Sequence, residues 1–501
     1  MILDIRYQVA VTPTMKKVSQ SYFDETVKSN MELFDLQVDD AIAESIQSFN
    51  LEGVDLSDIV KDMVKYEKGH PCVLAIKELK ECLENSYDKH IVSEALRSLQ
   101  LHSNSDPAVR KLLIDMNAVN ILVSLCGLHV VVDNFDLCAS LLNVLSKIIK
   151  GHSDSVNEDH IKKVINLLLK QVDELDENSF TDSKFNLIAG VYSVLHLSCT
   201  RNEKNRIFIS ETQAITKTVT FLSKIADLIE NFPFNTFYPA LKHGCAFLRS
   251  LTHDDDFDVE FGFGSENART IAKSDSCLEV FVILISKISN SSNTIGISDL
   301  FQTLSTIITR EDLCTKFASL NGIDILMQSI YSNMKSIVIV SSGLMLLQAV
   351  CGSDACKLSV GNWSMHDTSG PQLIVDIFEE YINSPVVTKY LSCVIAVLTL
   401  RQPGIAKSLI TSGASIYLIK TLELHLSNPP TVRAACRAIR NCVSRSPELR
   451  SSFLTDSGTD TNLEMLLNCV LKIPSCCDAA KEALRDLNCK VELQELWKGH
   501  P

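Results

Sequence analysis

Three arginines stand at positions 433, 437 and 440 of this 501-residue chain. The spacing i, i+4, i+7 puts Arg433, Arg437 and Arg440 on one face of a helix. Three guanidinium groups then gather within two turns, about 10 Å of axis. A guanidinium meets a carboxylate or phosphate through paired hydrogen bonds, so the cluster fits an acidic or phosphorylated ligand. The plainer alternative is a solvated helix face paired with carboxylates of the same chain. Exposed pairs of that kind contribute only ~0–1 kcal/mol each.

Other clusters carry less. Asp254, Asp256 and Asp258 have the spacing of the first ligands of a calcium loop. Val259 stands where that loop's turn needs glycine, and Ser265 where its bidentate glutamate belongs. A solvated acidic loop is the expectation. Gly262 and Gly264 lack a third glycine, because position 267 is Asn267, and no phosphate-loop sequence occurs. Cys351 with Cys356, and Cys476 with Cys477, do not form the paired C-x-x-C of a structural zinc site. The twelve histidines are scattered without an H-E-x-x-H or H-x-H pair. No nucleophile-elbow pattern surrounds a serine. The chain is therefore expected to have no catalytic residues, no metal and no cofactor. An enzyme with a site hidden in the 253–267 loop is kept as an alternative of a different class.

The arginines belong to a stretch that organises the chain, residues 428–454. Pro429 and Pro430 suit a helix start, where a missing N–H costs nothing. Val432, Ala435, Cys436, Ile439 and Val443 then make one apolar stripe of helical period. Ser446 before Pro447 ends it, and Leu449, Phe453 and Leu454 begin another apolar segment. Similar stretches recur. Core positions can be matched at Leu96, Leu145, Leu195, Leu248, Leu304, Leu347, Leu398, Ile439 and Leu484, about 48 residues apart on average. Repeats of roughly 40–47 residues made of two or three helices are armadillo or HEAT units, and longer steps imply loop insertions.

The run Ala438-Ile439-Arg440-Asn441-Cys442 resembles the end of an armadillo third helix. Ala108 to Leu125, with its break at Asn117, resembles the preceding half, and residues 321–326 and 412–418 look like further copies of that break. The resemblance implies an all-α, armadillo-type α-solenoid, a right-handed superhelix of about nine helical repeats. It also implies that third helices line a concave groove, with Arg440 and Asn441 at groove positions and the asparagine clamping a peptide backbone. Arg97, Arg249 and Arg485 occupy the same step after their core leucines. The equivalent asparagine position holds Ser98, Lys147, Ser250, Thr306, Ala349 and Asp486 elsewhere, and Trp363 and Trp497 lie off the long helices. Binding of basic import signals is not expected. Residues 18–24, 34–35 and 53–60, with 254–256, 261–262 and 268–269, further resemble the armadillo repeat-containing protein six family. Its histidine-rich loop is not matched, since Phe263, Ser265, Glu266 and Asn267 stand there.

Composition agrees. Hydrophobic residues make up 46% and aromatics 6%, a balance that suits helix-on-helix packing. The net charge of −14 disfavours a nucleic-acid groove. Seventeen cysteines fall largely in apolar stripes, as at Cys138, Cys393, Cys436 and Cys469, where a thiol acts as a small hydrophobe. With no secretory signal pattern, this predicts a reducing cytoplasmic setting, with the nucleus also open. The weakly charged run 336–353 is too short for a membrane span and reads as a buried third helix.

The predicted layout has a poorly ordered N-terminus (1–15), an N-terminal helical segment (16–66), the repeat array (67–490) and a tail (491–501) in which Trp497 covers the last core. Within it, 55–66 and 71–83 are expected to form a helix pair, 231–239 a packed loop, and 253–267 the longest irregular insertion. The functional expectation is a monomeric, non-enzymatic scaffold that binds a protein, specifically an acidic or phosphorylated extended segment. The groove residues proposed for it are Arg433, Arg437, Arg440, Asn441, Arg485 and Arg249. A regulatory or assembly-adaptor subunit of a larger complex is the second expectation.

Overall fold

The structure, a computed structural model, describes residues 16–66, 69–85, 87–102, 106–175, 180–274, 276–289, 293–455 and 462–491. The expectations for residues 1–15 and Trp497 lie outside them. Among the described residues there are 28 α-helices, and the strands are two pairs of two residues each. The chain forms two compact units. One runs to Glu211 and includes Asp255–Asp258; the other comprises Thr212–Asp254 and the chain from Val259 onward.

The repeat seen in the sequence is a three-helix unit. Its most regular copies are Glu311–Ser319, Gly322–Ser332 and Ile337–Val350, then Asp354–Asn362, Gly370–Tyr381 and Pro385–Thr399, then Pro403–Thr411, Ala414–Leu424 and Pro429–Val443. All nine matched core positions lie on long helices and are buried. Within the second unit, successive third helices 294–307, 337–350, 385–399, 429–443 and 477–487 pack side by side. Each buries one stripe against its neighbours, which is how a repeat that cannot bury its own face becomes stable. The weakly charged run does form a third helix, Ile337–Val350.

The breaks between first and second helices have a common chemistry. Asn117, Asn321 and Gly413 all take the left-handed conformation, with φ of 62°, 61° and 102°. Asparagine and glycine enter that region at least cost, so the chain reverses there without losing the next helix. Gly370 meets a different demand. A Cβ on it would collide with the Val360 carbonyl, where the chain leaves a short hairpin (Ser364–Met365 with Thr368–Ser369).

Three stretches differ from expectation. Val54–Asp55 is a short strand paired with Lys16–Lys17, and residues 56–66 are turns and one 3-10 turn, Met63–Lys65, rather than a helix. Non-local bonds hold them open: the Gln20 side chain donates to the Val60 carbonyl and accepts from its N–H, both at 2.8 Å. Asp55 accepts from the Ser57 N–H. Residues 234–239 are not a loop but the first turns of helix Phe234–Leu251, with Pro239 inside it. Burial of Phe237, Ala240 and Leu241 and stacking of Phe234 on Tyr238 at 4.8 Å offset the lost backbone bond. The irregular insertion stops at Phe263, because Gly264–Lys273 is helical.

The N-terminal segment forms helices Gln20–Phe34 and Val38–Leu51, closed on a core of Phe23, Val27, Ala41, Ile42 and Phe49. Asp58 ties it to the first repeat through Lys111 at 2.7 Å, and to Lys17 at 2.8 Å.

Candidate functional site

Helix Pro429–Val443 begins cleanly: Asn428 caps it by accepting the Thr431 N–H, and Thr431 also donates to the Pro385 carbonyl of the preceding third helix at 2.9 Å. Cys476 donates to the Pro429 carbonyl at 3.2 Å from the following side. The helix is thus stitched at its start to both neighbours. Its buried stripe (Val432, Ala435, Cys436, Ile439, Val443) leaves Arg433, Arg437, Arg440 and Asn441 on the opposite face.

The six residues singled out from sequence fall into different surroundings. Arg433 is half-buried and Arg437 exposed, and among the described residues neither has a carboxylate within ion-pair distance. Arg440 is held by two acids of helix Cys477–Leu487, Glu482 at 2.8 Å and Asp486 at 3.4 Å. Asn441 donates through Nδ2 to the Ala396 carbonyl at 2.7 Å, so one of its two amide hydrogens is used inside the protein. Arg485 is exposed on helix 477–487. Arg249 sits apart in a half-buried network. It donates to the Asp299 carbonyl at 3.0 Å and to Thr303 Oγ1 at 2.9 Å, and pairs with the Asp299 carboxylate at 3.4 Å. The Tyr238 hydroxyl donates to the same carboxylate, and burial followed by the Asp299 charge pushes the phenol's pKa up. Arg97 makes a surface pair with Glu94.

Sequence matching missed Lys389 and Cys393. Ile395 and Ile439 are each the eleventh residue of helices that start at Pro385 and Pro429, and both are fully buried. Leu398, chosen from sequence, is one turn too late. In the corrected register Lys389 stands level with Arg433, and Cys393 with Arg437. The Cys393 thiol is pushed up by burial, with the charges of Lys389 and Arg437 acting against that shift. The two proline starts were the available signal.

The 253–267 loop has a structural occupation. Asp256 accepts the Glu203 N–H at 2.7 Å, at the start of helix Glu203–Ser210. Asp255 accepts from the Arg201 N–H and pairs with Arg206, which is fully buried and also bound to Glu203 at 2.6 Å. Asp256, one of the three aspartates spaced like a calcium loop, therefore caps a helix, and its neighbour Asp255 neutralises an arginine. Among the described residues no group of three or more His, Cys, Asp or Glu side chains is arranged to hold a metal ion. Nor is any described helix long and apolar enough to cross a membrane.

Comparison with known proteins agrees with this architecture. A structure from work on a phosphorylation switch in the interaction between cadherin and beta-catenin superposes with a TM-score of 0.56, covering 94% of this chain and 81% of that one at 13% identity. That likeness shows the fold: all-α and armadillo-type. The chain is 26% identical to Armadillo repeat-containing protein 6 of Pongo abelii and 25% identical to that of Homo sapiens, in each case over 97% of this chain and 93% of the relative. A Drosophila melanogaster homolog is 26% identical over 77% of this chain and 78% of its own length. Residues 15–81 match the family described as the Armadillo repeat-containing protein 6 N-terminal domain. That N-terminal match and the near full-length likeness to these relatives make the chain similar to the armadillo repeat-containing protein 6 family.

Proposed function

We propose that the protein is a non-enzymatic scaffold that binds an extended segment of a partner protein along the exposed faces of the third helices in its second unit. The observation that carries this is the state of Arg433 and Arg437. They are cations on a rigid, well-packed helix, without a carboxylate in reach among the described residues, in a chain of net charge −14. Arg440, by contrast, is already paired with Glu482 and Asp486, and Asn441 already donates to the Ala396 carbonyl. The armadillo fold supports the reading, since such repeats are generally non-catalytic binding scaffolds, and the similar solved structure comes from work on an interaction between two proteins. An acidic or phosphorylated segment is the ligand chemistry that arginine suits best. The scaffold acts as a monomer in a reducing, cytoplasmic compartment, a setting consistent with its many buried free thiols. Residues 16–66 close one end of the array that spans 67–490.

The test is Arg433→Glu combined with Arg437→Glu, checked first for an unchanged melting temperature. Quantitative affinity capture from cell extract should then lose at least one protein that the unmodified chain retains. An identical set of captured proteins would overturn the proposal.

A further inference from the structure

The third helices of the second unit do not expose the same chemistry. Helix Ile337–Val350 shows Val338, Ser341, Met345 and Gln348 on its outer face, with no charge. Helix Pro385–Thr399 shows Val386, Lys389, Tyr390, Cys393 and Val397. Helix Pro429–Val443 shows Arg433, Arg437 and Arg440, and helix Cys477–Leu487 shows acids and bases together, two of them paired with Arg440. The face therefore runs from uncharged with an aliphatic residue at its start, through a similar helix with one cation, to strongly basic, and then to an end where acids and bases mix. Val338 and Val386 are 45% and 54% exposed at the helix starts, where side-chain bonds such as Thr431 to Pro385 lock the backbone.

We propose that this gradient selects one kind of occupant: a single extended segment with aliphatic side chains over the 337–350 and 385–399 helices and a carboxylate or phosphate over Arg433 and Arg437. The proposal rests on the groove reading above and adds the partner's pattern. Charge complementarity fixes the anionic end, because among the described residues Arg433, Arg437 and Lys389 have no carboxylate within ion-pair distance, whereas Arg440 is taken by Glu482 and Asp486. Exposed aliphatic side chains on rigid helix starts fix the other end, since burying them removes apolar area from water. Spacing follows from packing. Helix axes lie about 8–10 Å apart, and an extended chain advances about 3.3 Å per residue. The anionic residue should thus fall about three residues from one aliphatic anchor and about six from another.

The experiment is selection of a random 16-residue peptide display library on the full-length protein, followed by affinity measurement of the enriched peptides. Enrichment of acidic residues at those distances from Val, Leu or Ile is expected, with binding that weakens as salt is raised. Arg433→Glu with Arg437→Glu, and separately Val338→Asp with Val386→Asp, should each weaken the selected peptides by about tenfold or more. Both pairs are exposed or half-exposed, and an aspartate in a first helical turn is favourable, so folding should survive; melting temperature checks this. Enriched peptides of another composition that still need Arg433 and Arg437, or ones indifferent to the valine pair alone, would overturn the inferred pattern while leaving groove binding standing. Peptides that bind the arginine-pair variant as tightly as the unmodified chain, or the absence of any enrichment, would overturn both.

Discussion

At the scale of single residues, the costliest group is Arg206. It is fully buried with Glu203 against it, and Asp255 completes its neutralisation. Arg206→Ala would strand a buried carboxylate, so the loss should be about 3–5 kcal/mol. Chemical denaturation of the variant measures it, and a change below about 1 kcal/mol would mean that Glu203 finds water. The cysteines make a second prediction. Thirteen are buried, Cys393, Cys477 and Cys489 are half-buried, and Cys469 is exposed. Cys469 was expected in an apolar stripe, but Leu463, Leu467 and Val470 form that stripe and Cys469 falls beside it. Burial pushes the thiols of Cys72, Cys436 and Cys442 up to about 12, so hardly any nucleophilic thiolate exists there at neutral pH. A thiol reagent should modify Cys469 first, the half-buried three more slowly, and the rest only in denaturant. Rapid native labelling of most of the seventeen would refute this. The arginine face was legible at this scale because i, i+4, i+7 spacing is a property of the sequence. The partners of Arg440 and Arg249 were not, since Glu482 and Asp299 lie 42 and 50 residues away along the chain.

At the scale of elements, local rules read well wherever the chain's own chemistry decides. The breaks at Asn117, Asn321 and Gly413 follow from which residues tolerate positive φ, and the proline starts at Pro385 and Pro429 follow from the orphan donors of a first turn. Reading failed where tertiary contact overrode propensity. Pro239 belongs to a helix because the aromatic cluster around Phe234 and Tyr238 favours it, and 54–66 stays open because Gln20, about 40 residues earlier, satisfies Val60. Glycine offers a paired test. Gly370→Ala places a methyl against the Val360 carbonyl, backbone that cannot yield cheaply, and should cost about 1–3 kcal/mol. Gly404→Ala, in helix Pro403–Thr411 with nothing within 4 Å of the added carbon, should be neutral or stabilise by about 0.4–1 kcal/mol. Thermal denaturation of both variants checks the pair; equal shifts of the same sign would contradict the geometry.

At the scale of the molecule, a repeat array has no single core whose loss is felt everywhere. Among the described residues, helix 429–443 packs mainly against its neighbours 385–399, 403–411, 414–424 and 477–487. Stability should then behave as a sum of repeat and neighbour terms. Ile439 is fully buried at the centre of that set. Ile439→Ala removes buried methyl groups and leaves a cavity, at a cost of about 2–5 kcal/mol. Hydrogen exchange should show the cost locally, as faster exchange across 385–443 and 477–487. Helices Phe135–Ile149 and Asp182–Cys199 of the first unit, which pack on each other, should keep their protection. The converse variant, Leu142→Ala in helix 135–149, should loosen the first unit and spare the second. Uniform loss of protection from either change would mean that the chain unfolds as one cooperative body, and the additive picture would fail. The same locality bears on binding: a ligand spanning the 337–350, 385–399 and 429–443 helices should protect those three and their immediate neighbours, because coupling in such an array passes from one repeat to the next.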